Sequence, residues 1–561
     1  VSAAALVVLL AACAGLPTSG PVNYGLDPNE SDEDPVVNPY VAEPPTPDAS
    51  PEEIVRGFLT ASYGTANNWA AAREYLTGDL VESWSPSASA LIDSSGQRTF
   101  PEPTMNDDGT ASITVTVRPE ASLDQDGRYR VVEEETQDLD FTLAQDDDGQ
   151  WRITSAPDGV VIDEPYFEEL YAEHDLYYFD STWTYLVPDA RWLLTGPNTL
   201  TRIAKELVQG GPSEWLANGV HTAFTGDLEV STTVNVDAAG AANVDISASG
   251  AAIQTTTQRR MLAQLQRSLA DADVHSVQLT IDGTSVSSGA VEVASTDVDA
   301  RPLVLTDDGF GFYSGGSLTE IDGISDRVTE LQAASAITSI TLAPDQQSAV
   351  TQQTNGKIEL VSAQDGPYEV PVDDSIEPAL DPFGYVWTVA GGSPSKISAW
   401  DSQIRSTDMS GAWGEYSKVT AIDVSRDGAR IAAIVTSGDD SWVIASVIER
   451  DENGEPVSLG TPVRVAQLSG TGVTLSWLID ESLGMIVTGS SSMLLWQQAV
   501  GEPAQKLAAP DDAEAIDSGG SDVTARVLTK DGDLNLLRGG QRWAVAANDV
   551  LVLAGQLGQP N

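Results

Sequence analysis

Residues 14–49 carry no hydrophobic period, residues 50–76 carry a helical one, and most of the remaining chain carries the period of two that belongs to strands. Order is expected to begin at Ser50. There Ser50-Pro51-Glu52-Glu53 places a cap hydroxyl, a proline at the first helical position and a glutamate three residues after the cap, which together make a capping box. Ile54, Val55, Phe58 and Leu59 follow on one helical face, and a second short helix is predicted to carry Trp69, Ala72, Tyr75 and Leu76. Ile113, Val115 and Val117 then alternate with polar residues. Phe141 and Leu143 precede the turn Asp146-Asp147-Asp148-Gly149, after which Trp151 and Ile153 resume the alternation. Helices followed by a curved antiparallel sheet predict an α+β domain over residues 50–164.

A second α+β domain is expected over residues 165–291. Tyr177, Tyr178 and Phe179 open a strand predicted to reach Leu186-Val187-Pro188, and Leu200 to Val208 reads as a helix stopped by Gly210-Gly211-Pro212. Strand signals follow at Val234-Asn235-Val236-Asp237 and Asn243-Val244-Asp245-Ile246-Ser247. A helix from Thr255 to Leu269 aligns Leu262, Leu265 and Leu269, before the strand Val277 to Ile281 turns at Asp282-Gly283.

Residues 292–561 repeat irregularly. Thr341-Leu342-Ala343-Pro344-Asp345, Pro378-Ala379-Leu380-Asp381-Pro382, Ile422-Asp423-Val424-Ser425-Arg426-Asp427-Gly428 and Leu475-Ser476-Trp477-Leu478-Ile479-Asp480 recur at the roughly 40–50-residue period of a four-stranded propeller blade. A β-branched or aromatic run follows these segments, as in Tyr385 to Val389 and Ile431 to Val435. The length predicts a β-propeller of about six blades. A pair of β-sandwiches would also supply many short strands, but without the recurrent period.

The N-terminus has a different character. An apolar run from Ala3 to Ala12 ends in Leu10-Ala11-Ala12-Cys13, and Cys13 is the one cysteine in 561 residues. The run is too short to span a bilayer but suits the apolar part of a secretory signal. It looks like a lipobox and resembles those of bacterial lipoproteins. The resemblance implies cleavage before Cys13, acylation of its thiol and work on the extracytoplasmic face of the cell membrane. Residues 1–12 are then a signal-peptide remnant. No Lys or Arg precedes Arg56, so the charged start of a signal is missing and Val1 reads as a truncated or alternative start. The Pro-, Asp-, Asn- and Glu-rich segment up to Ala49 reads as an extended spacer carrying the body away from the membrane.

Composition removes several function classes. With 84 acidic against 28 basic residues, the net charge of −56 opposes a phosphate backbone, and nucleic acid is not an expected partner. A single cysteine leaves no intrachain disulfide and no thiolate zinc site. His174, His221 and His275 lack partners at metal-ligand spacing and read as surface or strand-packed residues. No Gly-x-Ser-x-Gly elbow occurs, and the presumed propeller holds no histidine for a serine triad. Asp146 to Gly149 and Asp451-Glu452-Asn453-Gly454 read as hairpin turns rather than Ca²⁺ loops, and Gly315-Gly316-Ser317 and Gly391-Gly392-Ser393 as tight turns rather than phosphate loops. Carboxylate pairs are too abundant to single one out. No catalytic residue, metal or cofactor is assigned.

The first domain resembles the NTF2-like folds. The second is similar to the GerMN domain in its Tyr177 to Asp180 entry, its Gly210-Gly211-Pro212 helix end, its Asn243 to Ser247 strand and its Val277 to Gly283 edge. The lipobox start Cys13-Ala14-Gly15-Leu16-Pro17, the segment Ser50 to Leu59 and the GerMN and propeller features together resemble the actinobacterial LpqB lipoprotein family across essentially the full chain. That resemblance implies a non-enzymatic accessory of an MtrB-like sensor histidine kinase, acting in cell-envelope homeostasis and division. Its expected partners are the extracytoplasmic domain of the kinase and the membrane, reached through the lipid on Cys13. A cell-wall ligand, or a propeller-borne envelope hydrolase using two converging carboxylates, is the alternative.

Overall fold

A computed structural model describes residues 42–132, 136–249, 252–270, 272, 274–409, 412–519, 524–539 and 541–559. Leu10, Ala11, Ala12 and Cys13, and most of the spacer, lie outside these residues.

The capping box forms at Ser50. Its Oγ accepts from the Glu53 N–H at 3.3 Å, and the Glu53 carboxylate accepts from the Ser50 N–H at 2.8 Å. The helix Pro51–Ala61 buries Ile54, Val55, Phe58 and Leu59, with Phe58 packed on Trp84 and Phe141 at ring separations of 5.0 and 6.1 Å. The second helix is shorter than its apolar spacing suggests. It ends at Arg73, and Asn67, Asn68 and Trp69 take left-handed φ values. Tyr75 and Leu76 lie beyond it and are buried by strand-like pairing instead, the Tyr75 carbonyl accepting from the Ile153 N–H at 2.9 Å. The strands of this domain make two four-stranded sheets rather than one. In the first, Ser89–Asp93 lies between Pro119–Asp124, antiparallel to it, and Val160–Asp163, parallel to it. The second contains Ala111–Val117, Gln137–Gln145 and Trp151–Ser155.

In the second domain the expected strand from Tyr177 to Pro188 is two strands, Tyr171–Asp180 and Leu186–Leu194, paired as a hairpin. The break is chemical. Asp180 Oδ1 accepts from the N–H groups of Thr184 and Tyr185, Oδ2 accepts from Thr182, and Trp183 sits at φ 63°. The helix Thr199–Lys205 runs into a wider turn, Glu206–Gly210, and stops at Gly211 with φ 70°. Ala241–Ala248 and Ser276–Ile281 pair in parallel, connected by the crossover helix Thr255–Ala270, whose Leu262, Leu265 and Leu269 are buried.

The rest is a six-bladed propeller of consecutive antiparallel sheets. Blade 1 consists of Leu303–Thr306, Gly309–Ser314 and Ser317–Thr319, with Val550–Gln556 from the other end of the domain as its innermost strand. Blades 2 to 6 begin with the innermost strands Ile337–Leu342, Ala379–Leu380, Lys418–Val424, Thr471–Trp477 and Ala513–Asp517. The repeats seen in the sequence are the ends of four of these innermost strands and the tight turns that follow. The helix Ser325–Ala334 between blades 1 and 2 was not signalled by the repeat.

Candidate functional site

Two of the turns after the innermost strands are built on buried aspartates. Asp381 is fully buried. Its Oδ1 accepts from the N–H groups of Phe383 and Tyr385, and its Oδ2 accepts from Trp387 Nε1 at 3.0 Å and Arg450 Nη2 at 2.6 Å. The Arg450 guanidinium lies 4.5 Å over the Phe383 ring. Asp427 repeats the device in blade 4 with Arg430, which lies 4.5 Å over Trp477. Such pairs hold only while both partners are present, because a lone buried charge is costly.

The second domain sits on this turn face. Tyr177 donates its hydroxyl to Glu481 Oε1 at 2.5 Å, and Arg267 reaches the same oxygen at 3.3 Å. Trp192 Nε1 donates to the Gly501 carbonyl at 2.9 Å, and the Tyr185 ring meets Phe383 edge-on at 5.9 Å. Ala429 and Val447 of blade 4 join the apolar core of the second domain. The approach is close enough that a Cβ on Gly219 would lie 2.2 Å from Val447 Cγ2. The connecting segment adds two further bonds, Thr296 Oγ1 to Asp480 Oδ2 and Arg526 Nη2 to the Ala300 carbonyl, each at 2.6 Å.

This junction concentrates negative charge. Burial pushes the Glu502 carboxyl up to about 7, and the neighbouring Asp175 and Glu481 add to the shift against a hydrogen bond with Glu173. Burial and Asp427 raise Asp480 to about 6.

A second set of shifted carboxyls lies at the innermost strands. Burial is the main cause that lifts Asp423 to about 6, opposed by donation from the Trp477 N–H at 2.9 Å, and Asp517 adds to the rise. Asp423 belongs to the innermost strand of blade 4 and Asp517 to that of blade 6. Burial is the main cause that raises Glu377, just before the innermost strand of blade 3, to about 7, and Asp423 adds to the rise.

Comparison with known proteins places the three domains. The family profile described as Lipoprotein LpqB, N-terminal domain, matches residues 44–168. The profile described as Sporulation and spore germination matches residues 175–287, and the Lipoprotein LpqB beta-propeller domain matches residues 309–551. The chain belongs to the lipoprotein LpqB family. Lipoprotein LpqB of Nocardia farcinica is 27% identical, covering 91% of each chain. Lipoprotein LpqB of Bifidobacterium longum is 24% identical over 99% of this chain and 98% of its own, and that of Cutibacterium acnes is 30% identical over 50% and 46%.

In this LpqB-family chain the other candidates take structural places. His221 stacks on Trp183 at 5.1 Å, and His275 lies against Gly240. Asp146 and Asp451 direct Oδ1 at backbone N–H groups of their own hairpin turns, and the two Gly-Gly-Ser segments join adjacent strands. No group of three or more His, Cys, Asp or Glu suited to a metal occurs among the described residues, and no described helix is long and apolar enough to cross a membrane. Glu377, Asp423, Glu481 and Glu502 escaped sequence reading. Only Asp423 lay in a recognised repeat, and nothing local distinguishes the others from the remaining acidic residues.

Proposed function

We propose that this LpqB-family protein is held at the extracytoplasmic face of the cell membrane by lipid on Cys13 and acts as an accessory of a sensor histidine kinase. The observation that carries the reading is the second domain seated on the propeller's turn face through polar, partly titratable contacts. A partner that prefers one arrangement of such a junction shifts its population, and linkage makes the effect reciprocal, so the sensor's own states are biased in return. The relatives' shared description as lipoproteins supports anchoring. The test is calorimetric titration of the chain from Ala14 onward into the extracytoplasmic domain of the cognate sensor at physiological salt. Saturable binding is expected, and its absence would overturn the accessory role.

One observation favours a second reading as an envelope hydrolase, the raised carboxyls of Glu377 and Asp423 at the innermost strands of blades 3 and 4. Hydrolysis of cell-wall glycans by the native protein, abolished by Glu377→Gln, would establish it.

A further inference from the structure

A cleft of about 1070 Å³ separates the N-terminal domain from blades 4 and 5. Its walls differ in charge. On the N-terminal side Glu120, Glu164 and Glu168 are exposed around Tyr129, whose hydroxyl pKa they help burial to raise. On the propeller side Arg464 lies 4.5 Å over Trp442 and Lys506 lies 3.9 Å over Trp496, and the exposed Asp440 lines the same wall. Arg464 and Lys506 are notable cations in a chain of net charge −56.

Both walls also present strand edges. Tyr129–Val131 is the outermost strand of the order that continues through Pro119–Asp124 and Ser89–Asp93. Val463–Leu468 pairs only with Asp440–Arg450 in its sheet. Every residue from Arg464 to Ser469 lines the cleft. Val465 is skipped in the pairing with Asp440–Arg450, and beyond that break Ala466, Gln467 and Leu468, whose side chains alternate between the strand's two faces, all line the cleft, so the strand turns its edge to the opening there. The same wall contains polar atoms without partners. Trp496 Nε1 and Gln498 Oε1 have none, in residues 2% and 4% exposed.

These features select among ligand classes. A neutral glycan wants a bare aromatic face, and both tryptophans are covered by cations. A polyanion meets three glutamates, and a polycation meets Arg464 and Lys506. An extended peptide carrying both signs satisfies the two walls and supplies main-chain donors and acceptors to an exposed strand edge. We propose that this cleft binds an extended peptide of mixed charge by strand addition, its ammonium groups toward Glu120, Glu164 and Glu168 and its carboxylates toward Arg464 and Lys506. The inference goes beyond the accessory reading and does not depend on it.

The test titrates the whole chain with the hexapeptide Lys-Val-Glu-Val-Lys-Glu, an all-lysine and an all-glutamate counterpart, and the mixed peptide with N-methylated backbone. Saturable binding of the mixed peptide is expected, weakened at least tenfold in each of the other three and in the variants Arg464→Glu with Lys506→Glu and Glu120→Lys with Glu168→Lys. Thermal unfolding matched to the parent certifies each variant, and Arg464→Gln replaces a pair that fails to fold. No saturation below about 1 mM, equal affinity for all four peptides, or unchanged affinity in folded charge-reversed variants would overturn the proposal.

Discussion

Asp381 shows how much a single side chain organises in this molecule. One fully buried carboxylate accepts from two backbone N–H groups, an indole and a guanidinium. Arg450→Met is expected to cost about 3–5 kcal/mol, the usual consequence of stranding a buried charge. Adding Asp381→Asn should recover part of that loss, and the non-additivity is read from denaturant unfolding of the two single variants and the double variant. Glu502 makes the opposite prediction. Its carboxyl is raised from the ordinary value of 4.5 to about 7 in the folded chain, so the folded state binds the proton more tightly than the unfolded one. Its contribution to stability is therefore full below about pH 4.5 and is lost as pH rises through 7. Glu502→Gln should raise the melting temperature at pH 8 and leave it nearly unchanged at pH 5, as scanning calorimetry will record. None of this is visible at residue scale in the sequence. Asp381 stood out only through its repeat, and Glu502 becomes unusual only when Glu173, Asp175 and Glu481 are folded against it.

At the scale of elements, local chemistry reads well where a segment satisfies itself. The helix Pro51–Ala61 starts where its capping box says, because cap, proline and glutamate act within one turn. Ser50→Ala should remove about 1 kcal/mol, measurable as faster amide exchange in the first turn of that helix. Reading fails where a distant partner decides. Tyr75 and Leu76 have helical spacing after Trp69 and Ala72, yet Ile153 recruits that stretch into strand-like pairing. The hairpin in 171–194 was legible in principle, since Asp180-Ser181-Thr182 is turn chemistry, but the aromatic run before it and Leu186-Val187 after it read as one apolar stretch.

For the whole molecule, ring closure rests on Val550–Gln556, which pairs antiparallel with Leu303–Thr306 and in parallel with Thr341 and Leu342 of blade 2. Deleting Val550–Gln556 should open the ring, and the check is a larger hydrodynamic radius with loss of a single cooperative unfolding transition. The proposed anchor makes a cellular prediction: Cys13→Ala should move the protein from the membrane pellet to the soluble fraction. By itself the sequence determined the succession of two α+β domains and a propeller, because hydrophobic period, capping and blade repeat are all encoded within tens of residues. It also supplied the lipobox resemblance. Tertiary structure alone decided which of 84 acidic residues meet at the domain junction, which carboxyls are buried at the innermost strands, and that a two-signed cleft opens beside blade 4. Those groups lie far apart along the chain, and their charge and solvation are set by neighbours that only folding brings close.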